Sequence, residues 1–419
     1  MPIQKIPKVV IVGAGFGGLS AARALGNMPV DVLLLDKNNY HTFLPLLYQV
    51  AVAELEPEEI AYPIRSILRK WPNINFSLFN VDKIDFNTKI VQSKDKVISY
   101  DFLILALGSV TNFFNVSGAE EHSFSLKTLE EAITLRNHIL MCFENASNET
   151  DGHKRQQKLT FTVVGGGATG IEFAGALAEL INGSFIKDYP NIKFSEVNVV
   201  IVEASETLLS GFPKDLCDYT QQHLKKMGVR TYLQSIVERI TQDAVYLKNK
   251  TIIPTETVVW TAGVHTNTLI KKSGLSLLNS RIEITSTLAL SKYPEVYVIG
   301  DLAYYIDNAK PLPMLAPVAV QQGVTAAKNI ICQINEQKPI IFHYRNLGAM
   351  VTIGRRSAVA HIGCHLVKGF TAWLLWLSIH IFNLIGFRNR LFVLINWALD
   401  YFFYERTVRL ILPRKNKDI

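Results

Sequence analysis

The stretch Gly165-Gly-Gly-Ala-Thr-Gly-Ile-Glu172 follows the apolar run Leu159–Val164 and precedes the apolar run Phe173–Leu180. Strand, glycine turn and helix are the context that a dinucleotide-binding fingerprint requires. The chain holds a second such stretch, Gly13-Ala-Gly-Phe-Gly-Gly18, after the β-branched run Lys8–Val12. There Gly13 permits the tight turn, Gly15 lets the backbone approach a pyrophosphate, and Gly18 lets helix and strand pack closely. The helix that follows offers free N–H groups and a positive dipole end to phosphate. Val30–Leu35 predicts the next strand, ending at Asp36, where an acid can accept ribose hydroxyls. After the Gly165 turn the return strand is Val197–Val202, ending at Glu203. The interval from Gly165 to Glu203 exceeds the usual spacing of about 20 residues. The excess is read as a loop inserted over Asn182–Glu196. A solvated carboxylate at a strand end is the plainer reading of Glu203.

The repetition extends past the turns. Lys83–Val91 and Lys96–Ser99 alternate like antiparallel strands before Leu105-Ala-Leu-Gly108. Val237–Ile240, Ala244–Leu247 and Thr251–Pro254 do the same before Trp260-Thr-Ala-Gly263. The offset from Gly13 to Gly165 nearly equals that from Gly108 to Gly263, so a nucleotide-binding domain is duplicated. Two nucleotide sites in one chain suggest one cofactor passing electrons to another. Elsewhere, Tyr40–Arg65 reads as a loop with a short helix, Phe76–Val81 as a strand and Ala146–Gln157 as an exposed loop. Met314–Asn335 reads as a helix with Pro317 near its start, where proline is tolerated.

The 419 residues suit two or three domains, at roughly 100–200 residues each. The net charge of +7 is concentrated: from Leu366 onward the chain holds Lys368, Arg388, Arg390, Arg406, Arg409, Arg414, Lys415 and Lys417 against Asp400, Glu405 and Asp418. A basic, apolar tail suits an anionic membrane surface better than nucleic acid. The four cysteines show no Cys-x-x-Cys or zinc-like spacing, so no metal site and no disulfide framework is expected. No signal or transit segment precedes the first strand, which points to a cytoplasmic or organelle-internal side.

From Phe370 to Leu412 the chain turns apolar and aromatic, with Arg388-Asn-Arg390 as a break. About 20 apolar residues are needed to span a bilayer, so Phe370–Phe387 is borderline. The interleaved His, Asn, Arg, Trp and Tyr of Phe370–Leu412 favour helices lying in the membrane interface over a single span or buried core helices.

The chain resembles the two-dinucleotide-binding-domain flavoproteins, and within them the type II NADH dehydrogenases. The residues that carry this are Tyr40-His-Thr-Phe-Leu-Pro-Leu-Leu-Tyr-Gln-Val50, Pro63-Ile-Arg65, Gly165–Glu172, Val298-Ile-Gly-Asp301, Ala319-Val-Gln-Gln-Gly323 and Gly386-Phe-Arg-Asn-Arg390 with Trp397. The resemblance implies an α/β fold of two Rossmann-like dinucleotide-binding domains plus a C-terminal amphipathic-helix membrane-anchoring region. It implies an FAD domain over 1–112 and 287–345, an NADH domain over 113–286 and an anchoring region over 346–419. FAD would lie on Gly13, Ala14, Gly15, Phe16, Gly17 and Gly18, with Asp36 and Lys37 at the ribose, Val81 at the adenine and Gly108 nearby. Asp301 would bond the ribityl chain. The helix N-terminus at Val318 and Ala319 would face the flavin's pyrimidine edge, where its N–H groups stabilise negative charge. NADH would lie on Gly165, Gly167, Gly170 and Gly263, with Glu203 accepting its 2′- and 3′-hydroxyls and repelling the extra phosphate of NADPH.

The resemblance also implies that Glu172 stands beside the flavin and couples it to quinone. A helix-start carboxylate favoured by the dipole is the plainer reading. Gln321 and His380 are the candidate quinone residues, although a lone histidine on an apolar helix is more often packed. The family pattern Ala-Gln-x-Ala-x-Gln departs here, with Pro317 at its first glutamine and Gln321 retained. The expected function is FAD-dependent transfer of two electrons from NADH to a membrane quinone without proton pumping, by a monotopic protein on the cytoplasmic face of a bacterial-type or organelle-internal membrane. The family suggests a homodimer. Competing readings are a reductase of a biosynthetic quinone intermediate, a sulfide:quinone oxidoreductase and a flavin redox sensor without turnover.

Overall fold

A computed structural model describes residues 6–94, 96–271, 274–403 and 408–411. Of the charged tail, Glu405, Arg406, Arg414, Lys415, Lys417 and Asp418 lie outside the described residues. The chain forms two compact units: Met1–Thr42, Tyr62–Val110 and Val264–Asn346 make one, and Phe43–Ala61, Thr111–Gly263 and Leu347–Ile419 the other.

In the first unit, Lys8–Val12 is the centre of a five-stranded sheet with order Val296–Val298, Phe102–Leu105, Lys8–Val12, Asp31–Asp36, Ile74–Leu78. Its pairings are parallel, with Val9 opposite both Val32 and Phe102. Val9, Val10 and Ile11 have no exposed surface, which is why the strand is an unbroken apolar run rather than an alternating one. The helices Phe16–Ala24 and Ala316–Ile334 pack in backbone contact: a Cβ on Gly323 would sit 2.3 Å from the Gly17 carbonyl oxygen.

The second unit has the sheet Phe124–Ser125, Thr257–Trp260, Thr160–Val164, Asn198–Val202, Arg230–Tyr232, which repeats the last four strands of that order, while its edge strand Phe124–Ser125 precedes the glycine turn where Val296–Val298 follows it. Each unit adds a three-stranded antiparallel sheet, Lys83–Asp85, Ile90–Gln92 and Val97–Ser99 in the first, Val237–Ile240, Ala244–Leu247 and Ile252–Pro254 in the second. The second unit also carries the sheet Ala349–Gly354, Ser357–Ile362, His365–Gly369, followed by helices Phe370–Asn383 and Phe387–Phe403. Gly175, within the helix Ala168–Leu180, lets that helix touch the sheet: a Cβ there would be 2.1 Å from the Ile353 carbonyl oxygen.

Several local expectations are corrected. The stretch 146–157 is not a loop throughout, because the Asp151 side chain accepts from the N–H groups of His153 (2.8 Å) and Lys154 (3.2 Å) and starts a helix over Gly152–Lys158. The stretch 182–196 is not all loop either. The helix widens into a π turn over Ile181–Phe185 and runs on to Asp188, because Ile181 and Phe185 are buried and Phe185 packs on Phe143 at 4.4 Å. The strand expected over Phe76–Val81 is Ile74–Leu78 and ends short of Val81. Arg388-Asn-Arg390 does not break the tail helices but opens the second of them. The break lies at Leu384–Gly386, where Gly386 has φ +93°. Arg390 closes the helix before it, donating from Nε to the Leu384 carbonyl (2.7 Å) and from its guanidinium to Phe382 (2.8 Å). Among the described residues, no helix is long and apolar enough to cross a membrane.

Candidate functional site

The two glycine turns are built alike. Gly13 has φ +106° and Gly165 φ +114°, conformations that side chains other than glycine rarely adopt. The Gly13 N–H donates to the Leu35 carbonyl (2.8 Å), and the Gly165 N–H to that of Val202 (2.9 Å). A Cβ on Gly18 would sit 1.8 Å from the Gly13 oxygen, and one on Gly170 would sit 2.0 Å from the Gly165 oxygen. These contacts press each helix onto its own turn.

The acids are held alike as well. Asp36 accepts from the N–H groups of Ala14 (2.6 Å) and Asn38 (2.8 Å). Glu203 accepts from those of Gly166 (2.5 Å) and Ser205 (2.7 Å). Each carboxylate is thereby fixed at the mouth of its turn, with lone pairs left over for a ribose diol. Above the turns the surface is open, since a Cβ on Gly15 or Gly167 would meet nothing within 4 Å. Neither Gly15 nor Gly167 caps its helix through a side chain, so first-turn N–H groups remain for phosphate. Both turns therefore fit a dinucleotide's pyrophosphate and ribose. We expect Gly18→Ala to abolish retention of the nucleotide at the first turn, read as loss of visible flavin absorbance in purified protein.

Other residues named from the sequence fall around these turns. In the first unit, Asp301 follows Gly300 (φ +72°) and accepts from the Ser109 hydroxyl at 2.5 Å. Gln322, missed by the sequence reading, is buried and accepts from the Gly300 N–H at 2.7 Å, so it sets that turn. Phe16 packs edge-on against His41, whose Nδ1 bonds the Ala14 carbonyl at 2.9 Å. Val318 and Ala319 are buried in the opening turns of their helix, with Pro317 second in it. The Gln321 amide is tied at both ends to the Arg345 backbone (2.9 and 3.0 Å). Lys37 is exposed, Val81 is half-buried, and Gly108 has φ +64° with open space where a Cβ would be. In the second unit, Gly263 lies against the Phe114 ring, 2.6 Å from the place of a Cβ.

Glu172 is the fifth residue of its helix, past the first turn where the dipole is felt, so the helix-start reading is corrected. Burial pushes its carboxyl up to about 8, against weaker opposing effects of the Thr352 N–H (3.5 Å) and the Trp376 indole. Trp376 Nε1 is buried without a hydrogen-bond partner, and its effect on Glu172 is the smaller of the two. The cavity at Glu172 has an aromatic wall made of Tyr48, Trp373, Trp376, Trp397 and Tyr401, residues that the sequence shows as aromatic but does not join to Glu172. Trp397 Nε1 donates to Gln49 Oε1 (3.0 Å), and Gln49 Nε2 donates to the Tyr48 hydroxyl (3.1 Å). His380 stacks on Trp376 at 4.0 Å. Its Nδ1 bonds the Trp376 carbonyl at 2.7 Å, and a carbonyl only accepts, so Nδ1 carries the proton. Burial lowers this histidine to about 4, leaving it neutral at pH 7. Among the described residues, no cluster could hold a metal ion.

The cysteines are free and dispersed. Cys142 and Cys217 are buried, Cys332 is half-buried and Cys364 is exposed. Burial raises the Cys142 thiol to about 11, which makes it a poor nucleophile.

Comparison with known proteins fits this geometry. Residues 7–323 match the pyridine nucleotide-disulphide oxidoreductase family, and residues 346–406 match the NDH2 C-terminal domain. The chain is 34% identical to the type II NADH:quinone oxidoreductase Ndh of Mycobacterium tuberculosis over 94% of its own length and 88% of that protein's. Its fold is similar to NDH2 from Plasmodium falciparum in complex with NADH, with TM-score 0.89, 20% identity and coverage of 98% and 100% of the two chains. It is also similar in fold to the sulfide:quinone oxidoreductase of Aquifex aeolicus, with TM-score 0.75, 19% identity and coverage of 95% and 96%. The duplicated turns, the C-terminal sheet with its two apolar helices and the full-length relatives agree: the chain belongs to the type II NADH:quinone oxidoreductases.

Proposed function

We infer that this protein is an FAD-dependent enzyme carrying two electrons from NADH to a membrane quinone. The observation that carries the reading is the pair of matched turns, each with a fixed carboxylate, in a chain of this family. FAD is assigned to Gly13–Gly18 with Asp36, and NADH to Gly165–Gly170 with Glu203. The FAD domain is assigned to 1–112 and 287–345, the NADH domain to 113–286 and the anchoring region to 346–419. FAD held on Gly13–Gly18 and Asp36 would supply the hydride acceptor for NADH and the electron donor to quinone.

The chain's own groups supply the rest. Backbone N–H groups at the two helix starts hold the pyrophosphates. Asp36 and Glu203 orient the riboses. Glu172, protonated at pH 7, holds a proton at its carboxyl for the quinone oxygen. The Tyr48, Trp376 and Trp397 rings offer flat faces to a quinone ring. Neutral His380 presents Nε2 as an acceptor, which suits the hydroxyl of a quinol.

Exposed side chains along the two C-terminal helices support attachment to a membrane surface. Phe382, Phe387 and Phe402 are 77%, 82% and 71% exposed. Arg388 and Lys368 nearby suit anionic lipid on the cytoplasmic face. A homodimer, which the family suggests, is read from the sedimentation of the detergent-solubilised holoenzyme.

The test is steady-state oxidation of NADH and NADPH against a panel of quinones, after an anaerobic NADH titration of the flavin. NADH bleaching the flavin, followed by quinone restoring it, is the expected result. Bleaching without any quinone response would leave the flavin redox sensor as the better reading. Sulfide as the preferred donor would favour the sulfide:quinone reading, which the dispersed cysteines oppose.

A further inference from the structure

The helix Ala168–Leu180 carries a second carboxylate, Glu179, seven residues after Glu172. Seven residues are two turns, so both side chains leave the same helix face, about 10 Å apart along the axis. The strand Ala349–Gly354 runs beside that face and reaches both acids. The Thr352 N–H donates to Glu172 Oε1 at 3.5 Å, and the Arg355 N–H donates to Glu179 Oε1. Gly354 leaves room beside the second acid, since a Cβ there would be 2.7 Å from Glu179 Oε1.

A narrow cavity of about 40 Å³ connects Glu172 with Glu179. One water needs roughly 10–15 Å³ in this measure, so it holds about three, with polar partners on its walls. A second cavity, of about 290 Å³, shares Glu179, Arg355 and Asp400 with the first. Its rim includes the exposed residues Asn182 and Arg356, and the π turn Ile181–Phe185 supplies Asn182 and Ser184 to its wall. Glu179 thus stands where a water-sized passage meets a wider opening.

The groups facing this junction come from several elements. Glu172 lies on the same helix, Arg355 and Arg356 follow the strand, and Asp400 and Tyr401 belong to the last helix. Tyr48 and Glu54 approach from the 47–55 segment, and His223 from the helix Lys214–Lys226. Burial, and then the Lys226 charge, hold His223 below its ordinary value.

The reaction needs such a route. NADH, quinone and one proton give NAD⁺ and quinol: the hydride brings two electrons and one proton, and solvent must supply the second proton. We propose that Glu179 is the relay carboxylate that returns this proton to Glu172, through the two cavities that meet at it. Glu172 gives its proton to the quinone oxygen and becomes a carboxylate. A proton passes to it from Glu179 through the waters of the narrow cavity. Glu179 is recharged from the wider cavity, and no other reagent is consumed. This rests on the reading of Glu172 as the quinone's proton donor.

The test uses the holoenzyme, with bound FAD content checked first, in anaerobic rapid mixing. NADH reduction of the flavin and its reoxidation by a short-chain quinone are followed separately from pH 6 to 9. Glu179→Gln is expected to leave reduction within twofold of wild type and to slow reoxidation by about tenfold or more, increasingly so as pH rises. Millimolar formate, a small diffusible acid, is expected to restore much of the rate in Glu179→Ala, which a packing role would not allow. Glu172→Gln runs alongside. Slow reoxidation in Glu172→Gln with wild-type reoxidation in Glu179→Gln overturns the relay and leaves the Glu172 reading standing. Wild-type reoxidation in Glu172→Gln overturns both. If Glu179→Gln loses FAD, absence of formate rescue in Glu179→Ala overturns the relay.

Discussion

Replacing Glu172 by Gln should leave NADH bleaching of the flavin intact and cut the rate of quinone reduction by about 10²–10⁴-fold, the usual worth of a positioned general acid. Gln matches the carboxyl in shape and can still accept from the Thr352 N–H, but it has no proton to give. The wild-type rate should be flat below pH 8 and fall above it, because burial raises the Glu172 carboxyl to about 8 and it ionises there. The variant should lack this fall. Stability provides an independent check. An acid raised in the folded state binds its proton more tightly there than in the unfolded chain. Its contribution is therefore fully present below about pH 4.5 and is lost as pH rises to about 8. At roughly 1.4 kcal/mol per pKa unit, discounted because the residue keeps some exposure, the loss is about 2–4 kcal/mol. Glu172→Gln should thus unfold at a higher temperature than wild type at pH 9 and at much the same temperature at pH 5. A quinone rate unchanged by the substitution across this range would remove Glu172 from the proton chemistry.

The contrast between what could and could not be read from the sequence is physical. The glycine turns were legible because each is a local device: strand, positive-φ glycine, helix and acid follow one another in a single βαβ unit. The duplication is legible because both copies use the device in the same order, and four of the five strands in each sheet repeat it. Glu203 stands at the second turn despite the long gap, because it ends the apolar strand that returns beside that turn. The helix over Gly152–Lys158 was missed although Asp151 advertised its start, because the polar composition outweighed the cap.

The cavity at Glu172 was not legible, for a different reason. Glu179, Arg355, Trp376 and Asp400 come from segments far apart in the chain, and no spacing joins them. One signal was available: Glu172, Ala176 and Glu179 fall at helical intervals, i, i+4 and i+7, on one face. Two acids on the apolar face of a buried helix are costly unless something polar faces them, and here the 349–355 backbone and a water-sized cavity do. Gln322 was hidden by its neighbour. Gln321 matches the family pattern, but the side chain that fixes the Gly300–Asp301 turn is the next one along.

Removing the charge at Glu203 should change which nucleotide the enzyme uses. The carboxylate is held by two backbone donors, Gly166 N–H at 2.5 Å and Ser205 N–H at 2.7 Å, so it cannot swing away from the mouth of the second turn. A fixed negative charge accepts hydroxyls and repels a phosphate placed on the same ribose. A hydrogen bond to a charged group is worth about 1.5–3 kcal/mol, and about 1.4 kcal/mol is tenfold. Glu203→Ala should therefore lower kcat/KM for NADH by about 10- to 100-fold and raise the NADPH-to-NADH ratio by a similar factor. Alanine also strands the Gly166 and Ser205 donors, so part of its loss is disorder of the turn. Glu203→Gln separates the two effects: its amide oxygen can keep one of the donors bonded, while the charge is gone. If charge governs the choice, Gln should gain most of the NADPH activity that Ala gains and lose less with NADH. If geometry governs it, Gln should stay close to wild type with both nucleotides. A wild-type enzyme that already prefers NADPH would refute the assignment of Glu203, and the matched arrangement at Asp36 would then be the better model for how this chain holds a ribose without selecting it.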